Sequence, residues 1–222
     1  MFLNSENQLL GQWKETLSSF LVAIFCFFMV YYFPTDDYLQ NLTKNIFFLL
    51  VIPWLYVKLV LRKDIRNFGV NWKNYKTGLW WGGAMLLFLL VLFFLIIRYT
   101  EFDKVYILPA FVKANFGYFL LYELVLVNLL FLAQEIFFKG FLLSALREKL
   151  GCWSILIQST VFLFPLFIYS SYFFEMSPLI VISFIGGLVA YRTRTFLFSY
   201  LAGFIFLILL DAYVIFINQY YA

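Results

Sequence analysis

Residues 78–97 have the sequence GLWWGGAMLLFLLVLFFLII, a run of twenty residues without a single charge. A helix crosses the hydrocarbon core of a membrane in about 20 such residues. Six more stretches meet or approach this length: 17–33, 45–61, 114–138, 150–174, 176–191 and 195–218. The sequence therefore predicts an all-α fold, a polytopic integral membrane bundle of about seven transmembrane helices that forms a single domain over residues 1–222.

The composition agrees with a membrane protein and excludes other classes. Of the 222 residues, 64% are hydrophobic and 13% are charged, against about 45–50% and 25% in soluble domains. The net charge of +4 is small, so neither nucleic-acid binding nor disorder is indicated. The lipid bilayer is thus the first predicted partner, and nucleic acid is not expected as one.

The chain of 222 residues contains no histidine. This excludes acid–base catalysis by imidazole and metal ligation by histidine. The two cysteines, Cys26 and Cys152, lie in apolar runs and indicate neither a disulfide framework nor a thiolate metal site. We therefore predict no metal and no cofactor.

Four ionisable residues fall inside or at the end of the apolar stretches: Glu123, Glu135, Lys139 and Asp211. Such groups cost about 2.5–3.5 kcal/mol each on insertion scales, and by default they indicate a functional site. Glu135 and Lys139 are four residues apart, which favours an ion pair within one helix. This pair has two interpretations, a functional site or a neutral pair that fixes helix packing.

The spacing of the other acidic residues suggests a second polar place. Glu123 and Gln134 are eleven residues apart, so at about 100° per residue they share one face of a regular helix. Glu123 and Asp211 both fall in the outer half of the membrane if the N-terminus is cytoplasmic. Our hypothesis is that they line one polar cavity that opens outward. The alternative is that each is protonated and hydrogen-bonded to a nearby hydroxyl group.

Residues 134–147, with the sequence QEIFFKGFLLSALR, resemble the first signature of the CPBP family, Glu-Glu-x-x-x-Arg. These are the CAAX protease and bacteriocin-processing membrane proteins, also called Abi proteins or type II CAAX prenyl endopeptidases. Residues 159–168 resemble the family's Phe-x-x-x-His motif, and residues 184–207 resemble its third conserved region. The resemblance covers residues 117–215, a core that three transmembrane helices precede.

The resemblance implies the chemistry of a glutamate-dependent intramembrane endopeptidase. In active members the first Glu and a His activate water, while a second His and an Asn stabilise the oxyanion. Glu135 occupies the second Glu position of the first signature. The remaining positions carry other residues in this chain: Gln134 at the first Glu, Lys139 at the Arg, Leu166 at the first His, Gly203 at the second His and Leu207 at the Asn. The resemblance therefore implies a degenerate member that lacks the catalytic set.

We favour a catalytically inactive pseudoprotease that binds a peptide or another membrane protein. Its ligand or partner cavity would involve Glu123, Gln134, Glu135, Lys139 and Asp211. Family precedent implies bacteriocin immunity, regulation of a sensor or surface machinery, or partnership with a peptide exporter. One alternative is an endopeptidase with a rebuilt site based on Glu135 or on the pair Glu123 and Asp211. A second is a small transporter or channel subunit that uses the same pair.

The composition also suggests a source. Frequent Phe, Tyr and Asn without His is typical of AT-rich bacterial coding, so we expect a multi-pass protein of the plasma membrane of a Gram-positive bacterium. Basic residues predict the orientation, since they concentrate on the cytoplasmic side. With a cytoplasmic N-terminus, twelve of the sixteen fall inside, and the remaining four fall outside: Lys44, Arg98, Lys104 and Lys113.

This orientation predicts that the C-terminal end lies outside the cell. A reporter that is active only on the external side, fused after Ala222, should be active. The matched fusion in the 62–76 loop should be silent, because that loop carries five basic residues. A cytoplasmic location of the Ala222 fusion would contradict the predicted topology.

Overall fold

A computed structural model of the chain describes residues 2–64, 69, 70, 72, 75–169 and 174–220. The described residues form helices and connecting segments and contain no β-strand. The helices in chain order are α1 Phe2–Tyr32, α2 Leu39–Val60, α3 Tyr75–Tyr99, α4 Phe102–Val105, α5 Ala110–Ala114, α6 Phe116–Leu150, α7 Trp153–Tyr169, α8 Ser177–Thr193 and α9 Leu197–Tyr220.

Five helices in the described part of the chain are long and apolar enough to cross a membrane. They are α1 from Trp13 onward, α2, α3, α6 and α9 up to Ile217. Helices α7 and α8 are shorter, at 17 residues each, and coincide with the predicted stretches 150–174 and 176–191. The predicted all-α membrane bundle is thus confirmed, and the count of seven crossings stays a prediction.

Two of the long helices contain wider, π-helical turns. In α2 these are Phe47–Val51 and Tyr56–Val60, and in α6 they are Tyr122–Val127 and Ile136–Leu142. A π-helical turn inserts about one extra residue and turns the following side chains away from the regular helical register. The two π segments of α6 therefore decide which of its side chains face its neighbours.

Helix α6 takes part in two apolar clusters. On one side Phe131 packs with residues of α3, α8 and α9, among them Phe93 and Phe206. On the other side Phe137 and Phe138 pack with residues of α1 and α2. Because α6 contributes to both clusters, three of its charged residues, Glu123, Glu135 and Lys139, are buried inside the bundle. Many large apolar side chains on the outer faces of the helices are exposed, as expected for contact with lipid.

Glycines on α3 allow α9 to approach closely. A Cβ at Gly82 would lie 3.1 Å from the backbone oxygen of Phe198, and one at Gly78 would collide with the Phe198 ring. The next residue, Gly83, faces open space, with no atom within 4 Å of such a Cβ. Small residues are typical of helix interfaces in membranes, where they allow backbones to pack together.

We therefore predict different effects for the same substitution at neighbouring glycines. Gly82→Leu should lower the free energy of unfolding by about 1–3 kcal/mol, since the side chain would force α3 away from α9. Gly83→Leu is the control and should stay within about 0.5 kcal/mol of the original chain. Thermal unfolding in detergent measures both, and equal losses would contradict the described packing.

Candidate functional site

Glu135 and Lys139 form an ion pair in the interior of the bundle. Their side chains are 4% and 3% exposed, and the Lys139 ammonium donates a hydrogen bond to Glu135 Oε1. Glu135 ends the regular segment Asn128–Glu135, and Lys139 lies one turn later in the π segment Ile136–Leu142. The pairing of the two residues that the i, i+4 spacing favours is therefore present, and it is buried.

Ser199 of α9 completes the ion pair. Lys139 Nζ donates to Ser199 Oγ at 2.9 Å and to the backbone oxygen of Ile182 in α8 at 3.3 Å. The Ser199 hydroxyl donates in turn to Glu135 Oε2 at 2.8 Å. All three N–H groups of the ammonium thus have an acceptor, and both carboxylate oxygens have a donor. We call Glu135, Lys139 and Ser199 the charged triad.

A glycine of α8 leaves room for the charged triad. A Cβ at Gly186 would lie 2.6 Å from Ser199 Oγ and would collide with Lys139 Nζ. The α8 backbone therefore packs directly against the charged groups, and bulk water is kept out of this place. In such low-dielectric surroundings the interaction of Glu135 with Lys139 is much stronger than at a surface.

A small cavity adjoins the charged triad. Its volume is about 20 Å³, which is room for one water molecule. Gln158 of α7 is fully buried beside it and donates to Ser159 Oγ at 2.7 Å and to the Ser183 backbone oxygen at 3.1 Å. The cavity is lined by Phe131, Gln134, Glu135, Phe138, Lys139, Gln158, Phe162, Leu179, Ile182 and Ser183.

One atom beside this cavity is unpartnered. Among the described residues, Gln158 Oε1 is buried and accepts no hydrogen bond. A buried carbonyl oxygen without a donor costs about 1–3 kcal/mol, which a bridging water would recover. The cavity is therefore suited to a water or to a single polar group of a ligand.

The positions at which this chain lacks the family's catalytic residues differ in their surroundings. Gln134 is half-buried and lines the cavity, while Leu207 is 6% exposed and belongs to the apolar cluster around Phe93. At Gly203 a Cβ would lie 2.7 Å from the Phe131 ring, so this position has no space for a large polar side chain. Leu166 lies in α7, and its side chain is outside the described residues.

The remaining two predicted residues, Glu123 and Asp211, form a separate cluster. Glu123 is 0% exposed and Asp211 is 3% exposed, and Tyr106 donates its hydroxyl proton to Asp211 Oδ1 at 2.7 Å. Glu123 lies twelve residues before Glu135 on the same helix, or about 18 Å along the helix axis. The five residues expected at one cavity thus lie in two places, with Glu123 and Asp211 in one and Gln134, Glu135 and Lys139 in the other.

Sequence reasoning missed Ser199, Gln158, Ser183 and Tyr106. The adjacent polar residues Gln158 and Ser159 in the middle of an apolar run were the one available signal, because a buried amide needs partners. Ser199 and Tyr106 carry no such signal, since single Ser and Tyr residues are ordinary at the ends of membrane helices.

The fold and the charged triad define a multi-pass membrane protein with a polar centre inside a helical bundle. Residues 113–209 match the sequence model of a family described as type II CAAX prenyl endopeptidase Rce1-like, so this segment is similar to that family. The family predicted from the motif at residues 134–147 is thereby confirmed. The matched segment includes the whole charged triad, and helices α1, α2 and α3 precede it. Comparison with curated proteins and with solved structures finds no match.

The charged triad predicts a large penalty when its cation alone is removed. Lys139→Met should lower the free energy of unfolding by about 3–5 kcal/mol, because it leaves the Glu135 carboxylate buried without a positive partner. The double variant Glu135→Met with Lys139→Met should recover most of the loss, since neither charge remains. Unfolding in detergent measures all three chains. A single variant as stable as the original chain would contradict the role given to the pair.

Proposed function

We propose that this chain is a catalytically inactive Rce1-like membrane protein, a pseudoprotease, that binds a peptide or a membrane partner near the charged triad. The observation that supports the proposal is that the Glu135 carboxylate is fully hydrogen-bonded. This carboxylate is held by Lys139 and Ser199, so it is occupied by partners and is not free to accept a proton from water.

The other groups near the cavity support the same conclusion. Gln134 stands at the position of the family's water-activating Glu, and an amide does not act as a general base. The positions of the oxyanion-stabilising residues, Gly203 and Leu207, are packed against apolar side chains and supply no hydrogen-bond donor from a side chain. The chain has no histidine that could take over either role.

Binding without cleavage suits the groups that the site retains. The amide of Gln134 carries both donors and an acceptor, and Gln158 offers its unpartnered Oε1 as an acceptor; such groups recognise a peptide backbone. Leu179 and Phe162 are partly exposed at the same cavity and offer apolar contact to a segment that enters between α6, α7 and α8. The proposed ligand is therefore an apolar peptide segment or a helix of a membrane partner.

The biological setting that we propose follows from the family and the composition. It is the plasma membrane of a Gram-positive bacterium, where such a protein would confer bacteriocin immunity, regulate a sensor or surface machinery, or assist a peptide exporter. An exporter, a sensor and a bacteriocin each present apolar segments within or at the membrane. In all three settings such a segment could pack on the surface beside the cavity and place one polar group in it.

The proposal predicts no proteolysis by the purified protein. In proteoliposomes, a fluorogenic peptide that ends in a prenylated CAAX sequence should remain intact with the original chain and with Glu135→Gln. The exposed Glu148→Gln is the matched control on the same helix. Cleavage by the original chain that disappears in Glu135→Gln and persists in Glu148→Gln would instead establish a rebuilt protease.

Partner binding is tested by photo-crosslinking in native membranes. A photoreactive amino acid in place of Leu179, beside the cavity, should give a discrete cross-linked peptide or protein. The same amino acid in place of Leu129, which is 41% exposed on α6, is the control and should react with lipid alone. Absence of any peptide or protein adduct at position 179 would contradict the proposed binding.

A further inference from the structure

Glu123 and Asp211 form a cluster that the proposed function does not use. Glu123 belongs to the π segment Tyr122–Val127 of α6, and Asp211 belongs to α9. Both side chains are buried, at 0% and 3% exposure, and their carboxyl groups lie close enough to interact. Two carboxyl groups therefore meet in an apolar interior.

The surroundings of this carboxyl pair contain no cation in the described part of the chain. The titratable side chains beside it are tyrosines, Tyr106 from the segment between α4 and α5 and Tyr122 from α6. In the α4 region Glu101 and Lys104 pair with each other at 2.7 Å and are 77% and 67% exposed, and the third charged residue, Asp103, is half-buried. Two negative charges would thus stand together without compensation, which a low-dielectric site does not tolerate.

The hydrogen bonds indicate which carboxyl group carries a proton. Asp211 Oδ1 accepts a hydrogen bond from the Tyr106 hydroxyl at 2.7 Å, which suits an ionised carboxylate. Neither oxygen of Glu123 accepts a hydrogen bond from any donor among the described residues. A protonated Glu123 needs no such donor, and its own O–H can be donated to Asp211.

We propose that Glu123 and Asp211 bind a single proton and that this proton holds residues 102–106 against the helical bundle. The proton lies between the two carboxyl groups and leaves one negative charge on the pair. That charge is stabilised by the hydroxyl group of Tyr106. The site is distinct from the charged triad, and the inference is independent of the proposed function.

Residues 102–106 are connected by contacts that would let the segment detach as a whole when the pair loses its proton. Phe102 is fully buried, with its ring centroid 5.7 Å from that of Phe93 in α3 and 5.1 Å from that of Tyr106. Tyr106 then bonds to Asp211 of α9. Loss of the shared proton at alkaline pH places a second charge beside Asp211. The two carboxylates then repel each other, and the contact that holds Tyr106 opens.

Infrared spectroscopy of the full chain in lipid nanodiscs tests the proton directly. At neutral pH the original chain should show the carbonyl stretch of a protonated carboxylic acid, with the usual shift in D₂O. Free carboxyl groups are ionised at this pH, since their pKa values lie near 4. The band should be absent in Glu123→Gln and present in the control Glu101→Gln. A spectrum without the band, or a band that persists in Glu123→Gln, would overturn the proposal.

Hydrogen exchange of the original chain provides a test that needs no variant to fold. Backbone amides of residues 102–106 should exchange faster as the pH is raised above neutral, beyond the rise expected for amides of the loop at 35–37. In Tyr106→Phe they should exchange fast at neutral pH already, because the donor to Asp211 is gone. Exchange in this segment that follows the control loop at every pH would refute the role of the proton.

The pH dependence of the melting temperature distinguishes a bound proton from a bound metal cation at this site. The folded chain retains a proton that the unfolded chain releases at neutral pH, so the melting temperature should fall as pH rises. Glu123→Gln should lack this decrease, because its amide donates to Asp211 at any pH. A melting temperature that rises with sodium, against choline at equal ionic strength, would show a cation site and overturn the proposal.

Discussion

A charge inside the hydrocarbon region needs a partner from the protein itself, because lipid tails cannot solvate it. In this bundle the partners of Lys139 come from three helices: Glu135 on α6, the Ile182 backbone oxygen on α8 and Ser199 on α9. This one set of hydrogen bonds links all three helices. Gly186 on α8 leaves the space that these groups need, since a side chain there would displace the Lys139 ammonium or the Ser199 hydroxyl.

Helix α6 contributes residues both to the charged triad and to the cluster of Glu123 and Asp211. Glu123 lies in one of its π segments and Lys139 in the other, and such turns are frequent at functional sites. A regular helix would place Glu123 and Gln134 on one face. With the wider turns, Glu123 is fully buried against Asp211, whereas Gln134 is half-buried beside the small cavity. One helix thus serves two polar places about 18 Å apart.

The groups that stabilise the bundle are also those that limit its chemistry. A general base must be free to accept a proton, while Glu135 is engaged by Lys139 and Ser199. The neighbouring cavity has room for one water, and the amides of Gln134 and Gln158 beside it bind without titrating. Such a centre fits the proposed recognition role better than hydrolysis. The proposed proton site at Glu123 and Asp211 is separate from this centre.

The sequence by itself determined the membrane-bundle class, the apolar helices, the family and the Glu135–Lys139 pair. Each of these depends on residues that are close in the chain, either as the length of an apolar run or as a spacing of four. Only the tertiary structure decided that Ser199 joins a pair 60 to 64 residues away and that Tyr106 reaches Asp211 across 105 residues. Contacts between distant helices depend on the rotation of each helix about its axis, and the π segments change that rotation without a local signal.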